Sequence, residues 1–293
     1  MNINSLVEAF YEKARELNGD TQNKEDPVNY RKLKISAYRH SLESYVYLYL
    51  EEKYGKQLTE HWQTHQFPRE AKYAWVIVER RCHPNWWFVL RNIAWAGPHM
   101  SLYIFCSNEN IEFLKSLLGD KAANVHFIIC FNGFLKRNDG IHEMNRVLTN
   151  PNFYSLIQAE YILTFQMDAY FRRKIPEVIF TGDFYGAPHG WDLESPGGGG
   201  ITMRNVKRMI ELCSKEDIIK LGYPEDCAIH TLLKKYEGKY PPLEFRAAVF
   251  CENFPVPDPV GVHQFWTFIE NFKITEKEEF KKYIENILTI KIM

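Results

Sequence analysis

The sequence predicts an α/β fold, a mainly parallel sheet with helices on both faces, preceded by a helical extension. Three observations carry this. From residue 71 onward, over about 100 residues, short apolar strand-like runs alternate with helix-like runs, the order that produces parallel strands joined by crossover helices. Residues 1 to about 68 show no β-branched alternation. After residue 176 the alternation stops in a stretch rich in Gly, Pro and aromatics.

The elements follow in order. In SAYRHSLESYVYLYLEEKYG (36–55) the apolar Tyr45, Val46, Leu48, Tyr49 and Leu50 form a broad helical stripe, and Gly55 is placed to end the helix. This segment reads as a helical extension; the alternative is a partner-binding arm, which would make a homodimer through the N-terminal helices. AWVIVERR (74–81) is a strand and HPNWWFVLRNIAWAG (83–97) a helix opening with Pro84 and closing on Gly97. SLYIFCS (101–107) and VHFIICF (125–131) are strands around the helix IEFLKSLLGD (111–120). IHEMNRVLTNPNFYSLIQ (141–158) is helical with a break before Pro151, and YILTF (161–165) is the next strand. Later come a helix at NVKRMIELC, a helix at GYPEDCAIHTLLKKY (222–236), a strand at AAVFCENF (247–254), VGVHQFWTF (260–268) after a Pro-rich turn, and a closing amphipathic helix at TEKEEFKKYIENIL (275–288).

Composition excludes some classes. A hydrophobic fraction of 45% with 25% charged residues is that of a folded globular chain. A formal net charge of −1 provides no global field for nucleic acid or an anionic membrane. The six cysteines form no C-x-x-C pair and read as reduced thiols, which predicts a cytoplasmic protein. The N-terminus MNINSLVEAFYEKAREL is amphipathic and charged, unlike a secretory signal. No apolar run reaches the length of a membrane span.

Four features can carry chemistry. Asp168 follows an apolar strand in YILTFQMDAYF (161–171); it is either a turn residue or a group delivered to the carboxyl ends of the strands, where such sheets bind ligands. With His263, unless that is a satisfied structural histidine, it offers the carboxylate and imidazole that a cation such as Mn²⁺ accepts. Glu225 and Asp226 occupy the first turn of a helix, where they either balance its dipole or include a general base. Gly197 to Gly200 run into ITMR, backbone that passes close to a ligand or another chain, or else a flexible surface turn; neither a P-loop nor a dinucleotide fingerprint is present. Glu79 and Arg81 end the first strand, where Arg can stack on a base or pair with phosphate, or the two can form a surface ion pair.

In this order VIVERR…FVLRN, FQMDAYF, FYGAP, GGGGITMRN, PEDCAIHTLL and GVHQFW, over residues 74 to 268, resemble an uncharacterised glycosyltransferase-like family with the GT-A, or nucleotide-diphospho-sugar transferase, fold. The resemblance implies a Rossmann-type mixed sheet flanked by helices at 71–270, with 1–70 as helical extension and 271–293 as a helix packed on the domain. It implies that Gln166-Met167-Asp168 stands for a D-x-D motif, with Gln166 in place of the first acid, and that Asp168 and His263 hold Mn²⁺ or Mg²⁺ against the diphosphate of a UDP- or GDP-linked sugar. Glu79, Arg81, Gln166 and Asp168 are then the donor contacts. Asp226 first, and Glu225 second, match the acidic motif whose carboxylate is the base in inverting transferases. The glycine run matches a G-N-G-G-x-S-L-R segment, with Gly198 where Asn is usual and Arg204 on the Arg. Gly199, Gly200, Arg204, Tyr185 and Trp191 are expected at the acceptor or sugar, Tyr170 supplying a further stacking face. The implied reaction moves a sugar to a hydroxyl of a glycan or other acceptor, by inversion. The rivals are a nucleotidyltransferase, whose glycine-bearing loop after the first strand is replaced here by RRCHPNWW, and a catalytically degenerate nucleotide- or sugar-binding module.

Overall fold

The structure, a computed structural model, describes residues 2–19, 27–131, 137–216, 224–267 and 276–292. Gly222, Tyr223, Phe268, Thr275 and the expected domain boundary at 270/271 lie outside the described residues. Helices α1 (Ile3–Gly19) and α2 (Pro27–Thr64) precede the unit formed by β1 (Tyr73–Val78), α3 (Trp86–Ala96), β2 (Ser101–Ser107), α4 (Ile111–Leu118), β3 (His126–Phe131), α5 (Arg137–Leu148), α6 (Pro151–Ser155) and β4 (Tyr161–Phe165). Then follow β5 (Ala169–Phe171), β6 (Phe184–Ala187), β7 (Gly198–Asn205), α7 (Val206–Lys215), α8 (Glu225–Lys235), α9 (Leu243–Val249), β8 (Phe250–Cys251), β9 (Gly261–His263) and α10 (Lys277–Ile287).

The expected mixed sheet flanked by helices is present. Its order is β3-β2-β1-β4-β7-β6; β3, β2, β1 and β4 are parallel, β7 runs antiparallel to β4, and β6 antiparallel to β7. The apolar runs are continuous because both faces are covered. In β1, Trp75 and Ile77 enter one core with α2, α3 and α10, while Ala74 and Val76 enter a second with α6, α7 and α8. The two strands nearest the site therefore cannot slip in register without exchanging these cores.

Topology positions the site. Because β7 is antiparallel to β4, its first residues meet the last of β4: Phe165 pairs with Ile201, and Gln166 N–H donates to Gly200 O at 2.9 Å. A second small sheet, β5-β9-β8, then joins Ala169 to His263 and Cys251 to Val262. Residues 166–168, 198–200, 252 and 263 are thus gathered by strand pairing alone.

The N-terminal helices pack on this unit. Phe10 meets Phe265 edge-on, Tyr11 meets Phe280, and the Tyr47 hydroxyl donates to Ala169 O at 2.9 Å. Of the predicted stripe on α2, Val46, Tyr49 and Leu50 are buried, while Tyr45 and Leu48 face outward. Arg172 is fully buried and ties β5 to α10 through Asn286 O (2.6 Å) and Thr289 O (3.1 Å).

Two expectations are corrected. Gly55 does not end its helix; α2 continues to Thr64, and Gly55 O accepts Arg91 Nη1 at 2.9 Å. AAVFCENF is not a full strand: Leu243–Val249 is helical after Pro241-Pro242, and only Phe250 and Cys251 pair as strand. Proline at a helix start and the two alanines favour that helix, and the short β8 exists only because β9 is beside it.

Candidate functional site

Asp168 is in a turn and also at a sheet edge. Ala169 N–H donates to Gln166 O (3.2 Å), closing the turn. The turn is fixed from two sides: Asn85 Nδ2 donates to Met167 O (3.0 Å) and to Glu43 Oε1 (2.8 Å), and Gln264 N–H donates to Asp168 O (3.1 Å). The Asp168 carboxylate is nearly buried and lies 3.0 Å from His263 Nε2. On the opposite ring nitrogen, Glu252 Oε1 is 3.2 Å from Nδ1.

The imidazole has an unusual balance of forces. Burial opposes its charge, but the Asp168 and Glu252 carboxylates outweigh it and hold the His263 pKa up at about 9. A histidine with a folded pKa above its unfolded value of about 6.5 stabilises the fold most below that lower value, and this stabilisation is lost as pH rises through 9. Chelator-treated protein is expected to lose at most about 3 kcal/mol between pH 6.5 and 9 from this group, read as a falling melting temperature that flattens in His263→Gln. His65, with a pKa lowered to about 4, contributes a slope of the opposite sign near pH 6.5 that fades about one pH unit higher.

The glycine run makes room for acids and imidazole of this same chain. A Cβ on Gly198 would collide with the Asp226 carboxylate, on Gly199 with Glu252, and on Gly200 with the His263 ring. Gly199 in addition has φ +81°, a left-handed conformation that favours glycine. Its N–H donates to Asp226 Oδ2 at 3.1 Å, and Gly200 N–H donates toward His263 Nδ1 at 3.1 Å. Asp226, Glu252 and His263 therefore lie in that order along the first residues of β7, with Asp168 against the other ring nitrogen of His263. Among the described residues, however, no three His, Cys, Asp or Glu side chains converge where one metal ion could sit, because His263 separates Glu252 from Asp168.

The remaining predicted residues divide. Gln166, Gly199 and Gly200 line a narrow cleft at the ends of β1, β4 and β7, covered by Met144 and Leu148 of α5. Arg204 and Glu225 are at the floor of that cleft, but they are committed to each other. Arg204 Nη2 lies 2.6 Å from Glu225 Oε1, and Arg204 also bonds the Tyr154 hydroxyl and Thr202 Oγ1 at 2.8 Å. The structure thus places the expected base Glu225 and the expected substrate contact Arg204 in one buried ion pair that lines the cleft. Arg204→Ala is expected to cost about 3–5 kcal/mol, because Glu225 would be left buried and unpaired; chemical denaturation measures it.

Tyr185 and Tyr170 are also corrected. Both are 0% exposed, with hydroxyls on Ile179 O and Ile287 O, so neither presents a face to a sugar. Trp191 is instead 67% exposed and stacks on His189 at 4.7 Å. His189 Nε2 is 3.9 Å from Asp226 Oδ2, and Asn253 bridges the loop by accepting Gly190 N–H at 2.7 Å. Glu79 accepts from Arg81 N, Nε and Nη2 at 2.9, 2.8 and 2.6 Å. Glu79 thus orients Arg81, whose side chain is half-exposed. Glu79's hydrogen bonds keep the Arg81 pKa above its ordinary value against burial, with the charges of Glu79, Asp168 and Glu43 adding.

Sequence reasoning missed Glu252, Asn253 and His189. The only signal was polar residues just after an apolar run in FCENF and beside glycine in PHGW. Among the described residues no helix is long and apolar enough to cross a membrane. No curated protein matches the sequence. Residues 131–263, from the last residue of β3 through His263, match the model of a family described as "Protein of unknown function (DUF5672)", so that the match takes in Asp168, the glycine run, Asp226 and Glu252.

Proposed function

We propose that the chain is a metal-dependent glycosyltransferase that moves a sugar from a UDP- or GDP-linked donor to an acceptor hydroxyl with inversion. One observation carries the reading: Asp168, at the carboxyl end of a parallel strand, meets His263 from a separate small sheet at 3.0 Å, beside the cleft lined by Gln166 and Gly200. This is where an α/β sheet binds ligands.

The donor set suits Mn²⁺ or Mg²⁺. A carboxylate and an imidazole are two ligands, and diphosphate oxygens and water would supply the others. A buried oxygen, Glu252 Oε2, has no hydrogen-bond partner among the described residues, a surplus of negative charge that favours a cation close by. When bound, the metal supplies charge neutralisation at the departing nucleoside diphosphate. Asp168 and His263 hold that position, and Arg81, aimed by Glu79, is available to a phosphate or base. Asp226 is placed to take the proton from the acceptor hydroxyl, and the exposed ring of Trp191 offers a stacking face to the acceptor sugar.

A thermal-shift panel of UDP- and GDP-sugars with and without Mn²⁺, followed by an assay for slow donor hydrolysis, tests this. Stabilisation by a sugar nucleotide only when Mn²⁺ is present, together with hydrolysis, is the expected result. Binding without turnover would make the chain a nucleotide-sugar-binding module, and no response to any sugar nucleotide would overturn the reading.

A further inference from the structure

Glu252 is 5% exposed, and its two oxygens are treated unequally. Oε1 faces His263 Nδ1 at 3.2 Å and accepts Gln264 Nε2 at 3.4 Å, whereas Oε2 is buried with no hydrogen-bond partner among the described residues. An isolated buried carboxylate oxygen is costly to keep. Two features nonetheless hold the group there: Gly199 lacks the Cβ that would collide with it, and Gln264, at a left-handed φ of +27°, turns its amide onto the same carboxylate.

Nδ1 of His263 has two competing neighbours. Gly200 N–H, at 3.1 Å, calls for a lone pair there, while Glu252, at 3.2 Å, calls for a proton. With hydrogens on both nitrogens the ring has no lone pair to offer; in the neutral ring that a cation requires, the choice decides the other end. If Nδ1 accepts from Gly200, Nε2 carries the hydrogen and points it at Asp168. If Nδ1–H is given to Glu252, the Nε2 lone pair faces Asp168 and can bind a cation jointly with it.

We infer that Glu252 is a positioning residue of this cation site, selecting the Nδ1–H form of His263 so that Nε2 and Asp168 together face a divalent cation. This rests on the metal-dependent reading above. Glu252 lies at the opposite end of the ring from Asp168, so it acts through the imidazole and not as a third ligand.

The test titrates Mn²⁺ alone into the full chain and reads free Mn²⁺ by electron paramagnetic resonance, with melting temperature recorded in parallel. Glu252→Gln keeps the shape but can donate to Nδ1, and it is expected to weaken Mn²⁺ binding roughly 10–100-fold, the usual worth of such an outer partner. Glu252→Asp, which restores the carboxylate one methylene short, is expected to recover part of the loss; should Glu252→Gln fail to fold, the shortfall of Glu252→Asp against wild type is read instead. Wild-type affinity in the folded variant, with only a lower melting temperature, would make Glu252 a packing residue and overturn the inference, while Asp168→Asn still losing Mn²⁺ would leave the metal site standing. Wild-type protein that binds no Mn²⁺ on its own would overturn the inference, while the sugar-nucleotide panel with Mn²⁺ decides the metal-dependent reading separately.

Discussion

Asp168→Asn is expected to abolish Mn²⁺-dependent binding of a sugar nucleotide while the protein remains folded. Asn has the same shape and can still accept from His263 Nε2 across the 3.0 Å contact, and the turn around it is held by backbone groups and by Asn85. What disappears is the acid of the motif, since position 166 is Gln. A neutral amide oxygen is a far poorer ligand for a hard cation than a carboxylate. His263 alone then cannot hold the metal, and the diphosphate loses its counter-charge. Calorimetry with UDP and Mn²⁺ measures the change. An affinity equal to wild type would remove Asp168 from the metal site.

The β1–β4 half of the fold was legible because its signal is local. Both faces of each central strand are buried, so each is a continuous apolar run, and the crossover helices between them carry their own caps and breaks. The second half depended on pairing between distant segments. Phe250 and Cys251 are strand only because Val262 lies beside them, and the alanines before them follow their own helical preference. Gly55 failed as a stop signal because Arg91 and tertiary packing continue the helix past it.

The site was legible as residue types and illegible as partnerships. The four glycines signalled a close approach, but the approaching groups come from positions 226, 252 and 263, and no local pattern links these to residues 198–200. Tyr185 and Trp191 look alike in sequence as aromatics in a glycine-rich stretch; alternation along β6 turns Tyr185 into the core against Phe245 and Phe250, while Trp191 lies on the outer loop. Only the family resemblance ranked Asp226 above Glu225. Neighbours on a helix diverge by about 100°, and the structure uses that divergence to send Glu225 to Arg204 and Asp226 to Gly199.

That divergence gives the two carboxylates opposite expected phenotypes. Asp226 takes N–H groups from Gly199 (3.1 Å) and Cys227 (2.8 Å), keeps its outer edge toward His189, and makes no ion pair with Arg204. If it is the base, Asp226→Asn should leave donor affinity nearly unchanged, because it touches the acceptor hydroxyl and not the diphosphate. Sugar transfer should fall roughly 10²–10⁴-fold, the usual contribution of a positioned general base. Glu225→Gln should do the reverse. Its amide still accepts one bond from Arg204 but no longer balances a fully buried guanidinium, so stability should drop by about 1–3 kcal/mol while turnover per folded molecule is kept. Turnover, donor affinity and melting temperature measured on both variants separate the roles. Full transfer in Asp226→Asn would exclude it as the base, and since Glu225 is committed to Arg204, the chemistry would then have to proceed without a base from this helix.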